Sequence, residues 1–323
     1  MIFDCHGDIW TDVTVQRSKG MKNIIKNRHL DRFKKGNIIG GIFVLWTDPP
    51  HDKTPRKRLL EMVEATAAEI MENQDILRII LEKEDFNKAL NEEKLAVIIG
   101  AEGLSGIGKN IDLINALYLF GLRHASLTWN EENLLATGVR GNPKRGVTEL
   151  GKKALHLMEQ LGVIVDVSHA NDKTFWDIYE NTTKPFIASH SNCRALCNVK
   201  RNLSDEQLKA IRERDGFIGL NSFNEFVHLD KDKQDLKHLV NHLDHMVEIM
   251  GVDHVGFGFD FFDFLENNTT DDFVEGNTIG TLGFENASKT HNLIEEMKNR
   301  GYSKEDIEKI SYKNFYRIIE ELI

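Results

Sequence analysis

Three histidines and three carboxylates stand at the ends of apolar runs in this sequence. His6 and Asp8 close IFDCHGD, Glu102 closes LAVIIGAEG, His169 closes VIVDVSH, His190 closes PFIASH and Asp260 closes HVGFGFD. Neutral imidazole and carboxylate oxygen are donors that suit Zn²⁺, with bonds of about 2.0–2.1 Å. Residues two apart on a strand face one side, so His6 and Asp8 are expected to reach one ion, with Gly7 leaving room between them. A carboxylate at the end of an apolar strand is costly unless it is paired. Glu102 is therefore expected to bridge two divalent ions. Asp260 is placed to take a proton from water and to give one back. Asp4 and Asp166 lie deeper in their runs and read as supports for the ligands. Arg201 and Arg194, in NCRALCNVKRN, are candidates to grip a substrate carboxylate, and Arg194 fits a loop salt bridge better. His238, His242 and His245 fall at helical spacing and read as the polar face of a solvated helix.

For six such groups to meet, the runs that carry them must lie parallel and end at one rim. Strand patterns fall at 2–9, 38–46, 95–103, 122–129, 163–169, 185–190, 217–223 and 254–262. Amphipathic stretches separate them, among them 57–73, 148–162 with Thr148 as N-cap, a helix opening at Ser204, and 236–251. Eight such units predict an α/β (β/α)8 TIM barrel of the metal-dependent hydrolase type, whose site lies at the C-terminal mouth of the strands. The chain reads as a single barrel domain over 1–323, with helices at 285–300, 304–309 and 313–322 as a C-terminal appendage. The polar stretch 263–283 reads as a lid or a disordered insertion. GLSGIGKN at 103–110 lacks phosphate-loop spacing and reads as a βα loop, and the basic run 53–58 as a solvated helix start.

Composition removes other classes. The formal charge is −10, which argues against nucleic acid, whose phosphates need clustered cations. No run approaches the roughly eighteen apolar residues of a membrane span. The opening MIFDCHGD lacks a basic run followed by an apolar one, so no export signal is expected. Cys5, Cys193 and Cys197 have no CxxC spacing, so disulfides are not expected and a cytoplasmic location is the default.

Taken in order, DCHGD at 4–8, GAEG at 100–103, DVSH at 166–169, SHSNCRALCNVKRNLSDEQ at 189–207 and GFGFD at 256–260 resemble the membrane (renal) dipeptidase family. These are the M19 zinc metallopeptidases of the amidohydrolase superfamily. The resemblance implies that His6 and Asp8 hold one Zn²⁺, His169 and His190 hold a second, and Glu102 bridges them. It implies that Asp260 handles the proton and that Arg201 contacts substrate. The implied reaction is hydrolysis of a dipeptide by a hydroxide that bridges the ions, and a homodimer is compatible with it. One position departs. The family's substrate-binding histidine follows Leu-Thr, and here LTWN places Trp129 there. Trp129 is therefore expected to set substrate choice, favouring a bulky or apolar group, and not to bind metal. The alternative is a metal-dependent hydrolase of another small amide or an N-acyl amino acid. A non-catalytic metal-binding protein on the same fold is disfavoured because Asp260 is retained.

Overall fold

A computed structural model of the chain describes residues 1–266, 269 and 280–323. Its strands are β1 (Ile2–Gly7), β2 (Ile38–Trp46), β3 (Leu77–Ile79), β4 (Leu95–Glu102), β5 (Leu122–Ser126), β6 (Ile164–Asp166), β7 (Ile187–Ala188), β8 (Phe217–Leu220) and β9 (Val255–Phe257). The pairings are parallel and run β1-β2-β4-β5-β6-β7-β8-β9. The first and last of these strands lie side by side, so the sheet rolls into a nearly closed TIM barrel. Asp4 stitches that seam, its carboxylate accepting the Phe259 N–H at 2.8 Å. Asp4 is thus a support, as its depth in the run suggested. The strand β3 was not expected from the sequence. It pairs with β4 from Leu95 to Val97, below the point where β5 joins at Ile99.

Alternation sorts the strand residues into two apolar layers. Phe3, Cys5, Ile42, Val44, Ala96, Ile98, Ile164, Ile187 and Phe217 form the inner cluster. Phe43, Leu45, Val97, Ile99 and Val165 belong to the outer layer, which the helices cover. The C-terminal helices Thr290–Asn299, Lys304–Glu308 and Asn314–Leu322 lie outside the strands. The last one also closes the barrel's lower end. Its Phe315 stacks on Phe3 at 5.0 Å and meets Phe217 edge-on at 5.3 Å. Truncating a buried phenylalanine costs about 3–5 kcal/mol, so this plug holds the end of the barrel remote from the site.

The helices start where the sequence provides caps. Thr148 accepts the Gly151 N–H at 3.1 Å and opens Glu149–Leu161, which Gly162 ends in the left-handed region. Ser204 and Gln207 form a reciprocal capping box that opens Asp205–Glu213. That cap anchors the loop carrying Arg201. The run 53–58 is the solvated helix start expected of it, with Lys53, Thr54, Arg56 and Lys57 exposed, except at Arg58. Pro55 opens the helix Pro55–Glu72, and Arg58 is buried against Asp48 with contacts of 2.6 and 3.0 Å. Among the described residues no helix is long and apolar enough to cross a membrane. The three cysteines are buried and free. The lid or insertion read at 263–283 falls largely on residues 267, 268 and 270–279, which lie outside the described residues.

Candidate metal centre and the cavity above it

All six candidate groups meet at the C-terminal ends of the strands. Glu102 is the last residue of β4, and its Oε1 lies 2.7 Å from His169 Nε2, 3.4 Å from His190 Nε2 and 3.7 Å from His6 Nε2. His6 Nε2 is also 3.9 Å from Asp8 Oδ2 and 3.7 Å from Asp260 Oδ1. The Nε2 atoms of His169 and His190 are 2.9 Å apart, and the rings of His6 and His190 stack at 3.6 Å.

The route by which the chain brings them together differs in part from the strand-end reading. The register between β1 and β2 slips between Asp4 and Gly7, and Asp8 lies beyond the strand, flanking the helix Ile9–Ser18. Asp8 thus meets His6 from the residue that opens that helix, one past the end of the strand. His169, His190 and Asp260 likewise lie in loops past the ends of β6, β7 and β9. His169 and Asp260 hold positive φ, 69° and 60°, a conformation that costs a non-glycine residue energy and recurs at functional sites. The loops also need close backbone approach. A Cβ on Gly219 or Gly258 would fall 2.0 or 1.8 Å from the Ser189 carbonyl oxygen, so only glycine lets β8 and β9 crowd behind His190.

The cluster has the electrostatics of a cation site. Burial, then repulsion from Asp8 and Asp260, pushes the Glu102 carboxyl far up. Burial, then Asp260 and Asp48, does the same to Asp8. Burial raises Asp260, while Arg201 and an Asn221 N–H pull it back, leaving it at about 6. Burial drives His6 down to about 3 and drives His169 and His190 well down, so the three imidazoles are neutral and free to donate a lone pair. Both ring nitrogens of His6 and Oδ1 of Asp8 are buried without a hydrogen-bond partner among the described residues. Buried carboxylates this close are stable only if a positive charge joins them. A tetrahedral ion bonded at about 2.0–2.1 Å keeps its donors about 3.3–3.4 Å apart. The donor spacings here run from 2.7 to 3.9 Å, so the residues fit a divalent metal.

Neighbours the sequence reading did not name hold the ligands in position. The Nδ1–H of His169 faces the Asn130 side-chain oxygen at 2.8 Å, which leaves its Nε2 for the centre. His190 Nδ1 meets Ser189 Oγ at 2.7 Å, and that hydroxyl donates to Asp166 at 2.5 Å. Burial would raise the Asp166 carboxyl, but hydrogen bonds from His124, Ser189 and Ser168 outweigh it and bring it to about 2. Asp166 is therefore a fixed anion at the end of a His–Ser–Asp chain, the kind of contact that orients a ligating imidazole. Asn221 donates to Asp260 Oδ2 at 3.1 Å, leaving Oδ1 toward His6. The sequence signals were slight: Asn130 follows Trp129, Ser189 precedes His190, and Asn221 ends the apolar run of β8. Ser189→Ala is expected to weaken metal affinity by about 10–100-fold, measured by competition against a chelator dye; unchanged affinity would make the chain incidental.

Arg201 is buried beneath the cavity. It donates to the His190 carbonyl at 3.1 Å, and its guanidinium lies 5.2 Å from the Phe226 ring centre. Arg194 pairs with Asp172 at 2.8 Å, the loop salt bridge expected of it. Trp129 is half-buried on the cavity wall, 5.2 Å from the Trp46 ring and 6.1 Å from His169. His242 departs from the solvated-face reading. It is buried, takes the Cys193 N–H at 3.1 Å and bonds the Val227 carbonyl at 2.9 Å, tying together two loops of the rim. A cavity of about 680 Å³ opens over the cluster, lined by Asp8, Glu102, His169, Asp260, Trp129 and Arg201 among others.

The model of one family, the membrane dipeptidases of peptidase family M19, matches residues 1–322. The chain belongs to that family. In class it is a metal-dependent dipeptidase, and the cluster contains groups that could hold a metal ion. A curated relative from Klebsiella pneumoniae, described as an uncharacterized protein in the pqqA 5′ region, is 32% identical over 256 residues, covering 76% of this chain and 89% of its own. Among solved structures, the M19 metallopeptidase dipeptidase AC superposes with a TM-score of 0.86 at 24% identity, over 99% of this chain and 98% of that one. A Rhodobacter sphaeroides metallopeptidase, liganded with a phosphinate mimic of the dipeptide L-Ala-D-Ala, gives a TM-score of 0.86 at 23% identity, over 100% and 99%. Both share this dipeptidase's barrel.

Proposed function

We propose that this chain is a zinc-dependent dipeptidase that holds two ions, one on His6 and Asp8, one on His169 and His190, with Glu102 between them. The observation that carries this reading is the convergence of three neutral imidazoles on one oxygen of Glu102 beneath an open cavity. Two divalent ions bound there supply Lewis acidity for the scissile carbonyl and make a water acidic near neutral pH. The protein supplies the rest. Asp260 keeps Oδ1 toward the cluster while Asn221 holds Oδ2, so it can accept the proton of the attacking water and deliver it to the leaving amine. Arg201 lines the cavity, and its guanidinium would donate to the substrate carboxylate. A cavity of about 680 Å³ is the size of a small-molecule site and accommodates a dipeptide. The dipeptide mimic in the Rhodobacter relative supports that substrate class.

Turnover of L-L and L-D dipeptides, beside N-acyl amino acids, tests the reading. Hydrolysis of dipeptides that is lost on chelation and returns with two equivalents of zinc is expected. Turnover confined to N-acyl amino acids, or indifferent to chelation, would overturn it. Trp129 is assigned to substrate choice on its place in the wall. Trp129→His should leave zinc content unchanged and shift the ratio of kcat/KM between bulky apolar and small polar dipeptides by about tenfold. A common factor across all dipeptides would instead make it a packing residue.

A further inference from the structure

The cavity wall carries more positive charge than the reaction above uses. Arg140, Lys200 and Arg201 all line it. Asp8, Glu102 and Asp260 belong to the proposed metal centre, which leaves Glu225 as the other carboxylate lining the cavity among the described residues. Arg201 is engaged with the His190 carbonyl and with the proposed substrate carboxylate. Arg140 and Lys200 are exposed at the rim, and neither makes an ion pair among the described residues. Arg140 is nonetheless positioned. Its backbone N–H bonds the Asn130 carbonyl at 2.9 Å, and its guanidinium lies over the Trp129 ring, 5.6 Å from the centre. A cation resting on an indole keeps its N–H donors free at the ring's edge while losing little mobility when it binds.

From this geometry we infer that Arg140, seated on Trp129 and seconded by Lys200, forms a subsite for a second carboxylate, and that the preferred substrates are dipeptides with an aspartate or glutamate side chain. The inference rests on the dipeptidase reading and refines it. The indole at the departing position then serves as a platform for a cation as well as an apolar wall.

Zinc-loaded enzyme would be assayed on L-Ala-Glu against L-Ala-Gln, the C-terminal residue in each configuration, and on L-Glu-L-Ala against L-Gln-L-Ala. Each pair differs in one charge at constant shape. A preference for the acidic member of about tenfold in at least one pair is expected from a charge-assisted hydrogen bond at a partly exposed site. It should reside in KM, shrink as salt is raised, and fall toward unity in the double variant Arg140→Gln/Lys200→Gln, with Arg140→Lys restoring part of it. Thermal melts and zinc content check that the variants fold and load. A wild-type ratio at or below one in every pair, or a preference that survives the double variant, overturns the inference. If the glutamine peptides are still hydrolysed in that case, the dipeptidase reading stands; if the wild type hydrolyses no dipeptide, both fail.

Discussion

Asp260→Asn is expected to keep its metal and to lose about 10²–10⁴-fold in kcat. The amide preserves the shape of the carboxylate, and its oxygen can still accept the Asn221 N–H that now reaches Oδ2 at 3.1 Å. His6, Asp8, Glu102, His169 and His190 remain to hold the ions. The variant cannot accept a proton at the atom that faces the cluster, 3.7 Å from His6 Nε2. Both halves of the reaction need that atom, first to relieve the attacking water of a proton and then to protonate the departing amine. Metal analysis of the purified variant beside steady-state rates separates the cases. Near-normal turnover at full occupancy would reassign Asp260 to holding the loop after β9. Loss of metal together with rate would make it a ligand first.

The barrel and the six clustered groups were legible for one reason. Each apolar run stops at a residue too polar to bury alone, and in a parallel barrel all strand ends share a rim. The strand bounds overshot for the same reason, since the apolar pattern continues into loops that are themselves buried. VIVDVSH is buried throughout, yet β6 ends at Asp166 and His169 sits beyond it at positive φ. No glycine marks that turn, so the sequence gives no sign of it. Asn130, Ser189 and Asn221 were missed because an amide or hydroxyl becomes a support only when a partner from a distant strand arrives. His242 was misread because helical spacing reports which side chains share a face, not what covers that face. The Leu77–Ile79 strand is too short for alternation to register, and its place follows from where β5 joins β4.

Glu102→Gln should show the largest effects, and in opposite directions with and without metal. In the zinc-loaded protein the substitution removes the charge whose Oε1 lies within 3.7 Å of three imidazoles. At least one zinc equivalent should be lost and activity should fall by at least about 10³-fold, as both the metal and its activated water are compromised. Added zinc stabilises a folded protein by binding it, by about 4 kcal/mol at a thousandfold excess over Kd, so the zinc-dependent rise in Tm should shrink in the variant. The chelated protein should behave the other way. Burial and repulsion from Asp8 and Asp260 hold the Glu102 carboxyl well above its ordinary range, so without metal the folded chain retains a proton that the unfolded chain releases. The wild-type apoprotein should therefore lose stability as pH rises from the ordinary glutamate range through that raised value. The neutral amide is free of this loss, so its apo Tm should fall less with pH and lie above that of wild type near neutrality. Melts of chelated and zinc-loaded proteins at pH 5 and 7.5 would test it. Parallel pH slopes in the two apoproteins would mean that Glu102 is not the strained anion, and an unchanged zinc count would mean that it is not the bridge. Both signatures together would show that the same buried carboxyl is costly to ionise in the empty barrel and holds the metal in the loaded one.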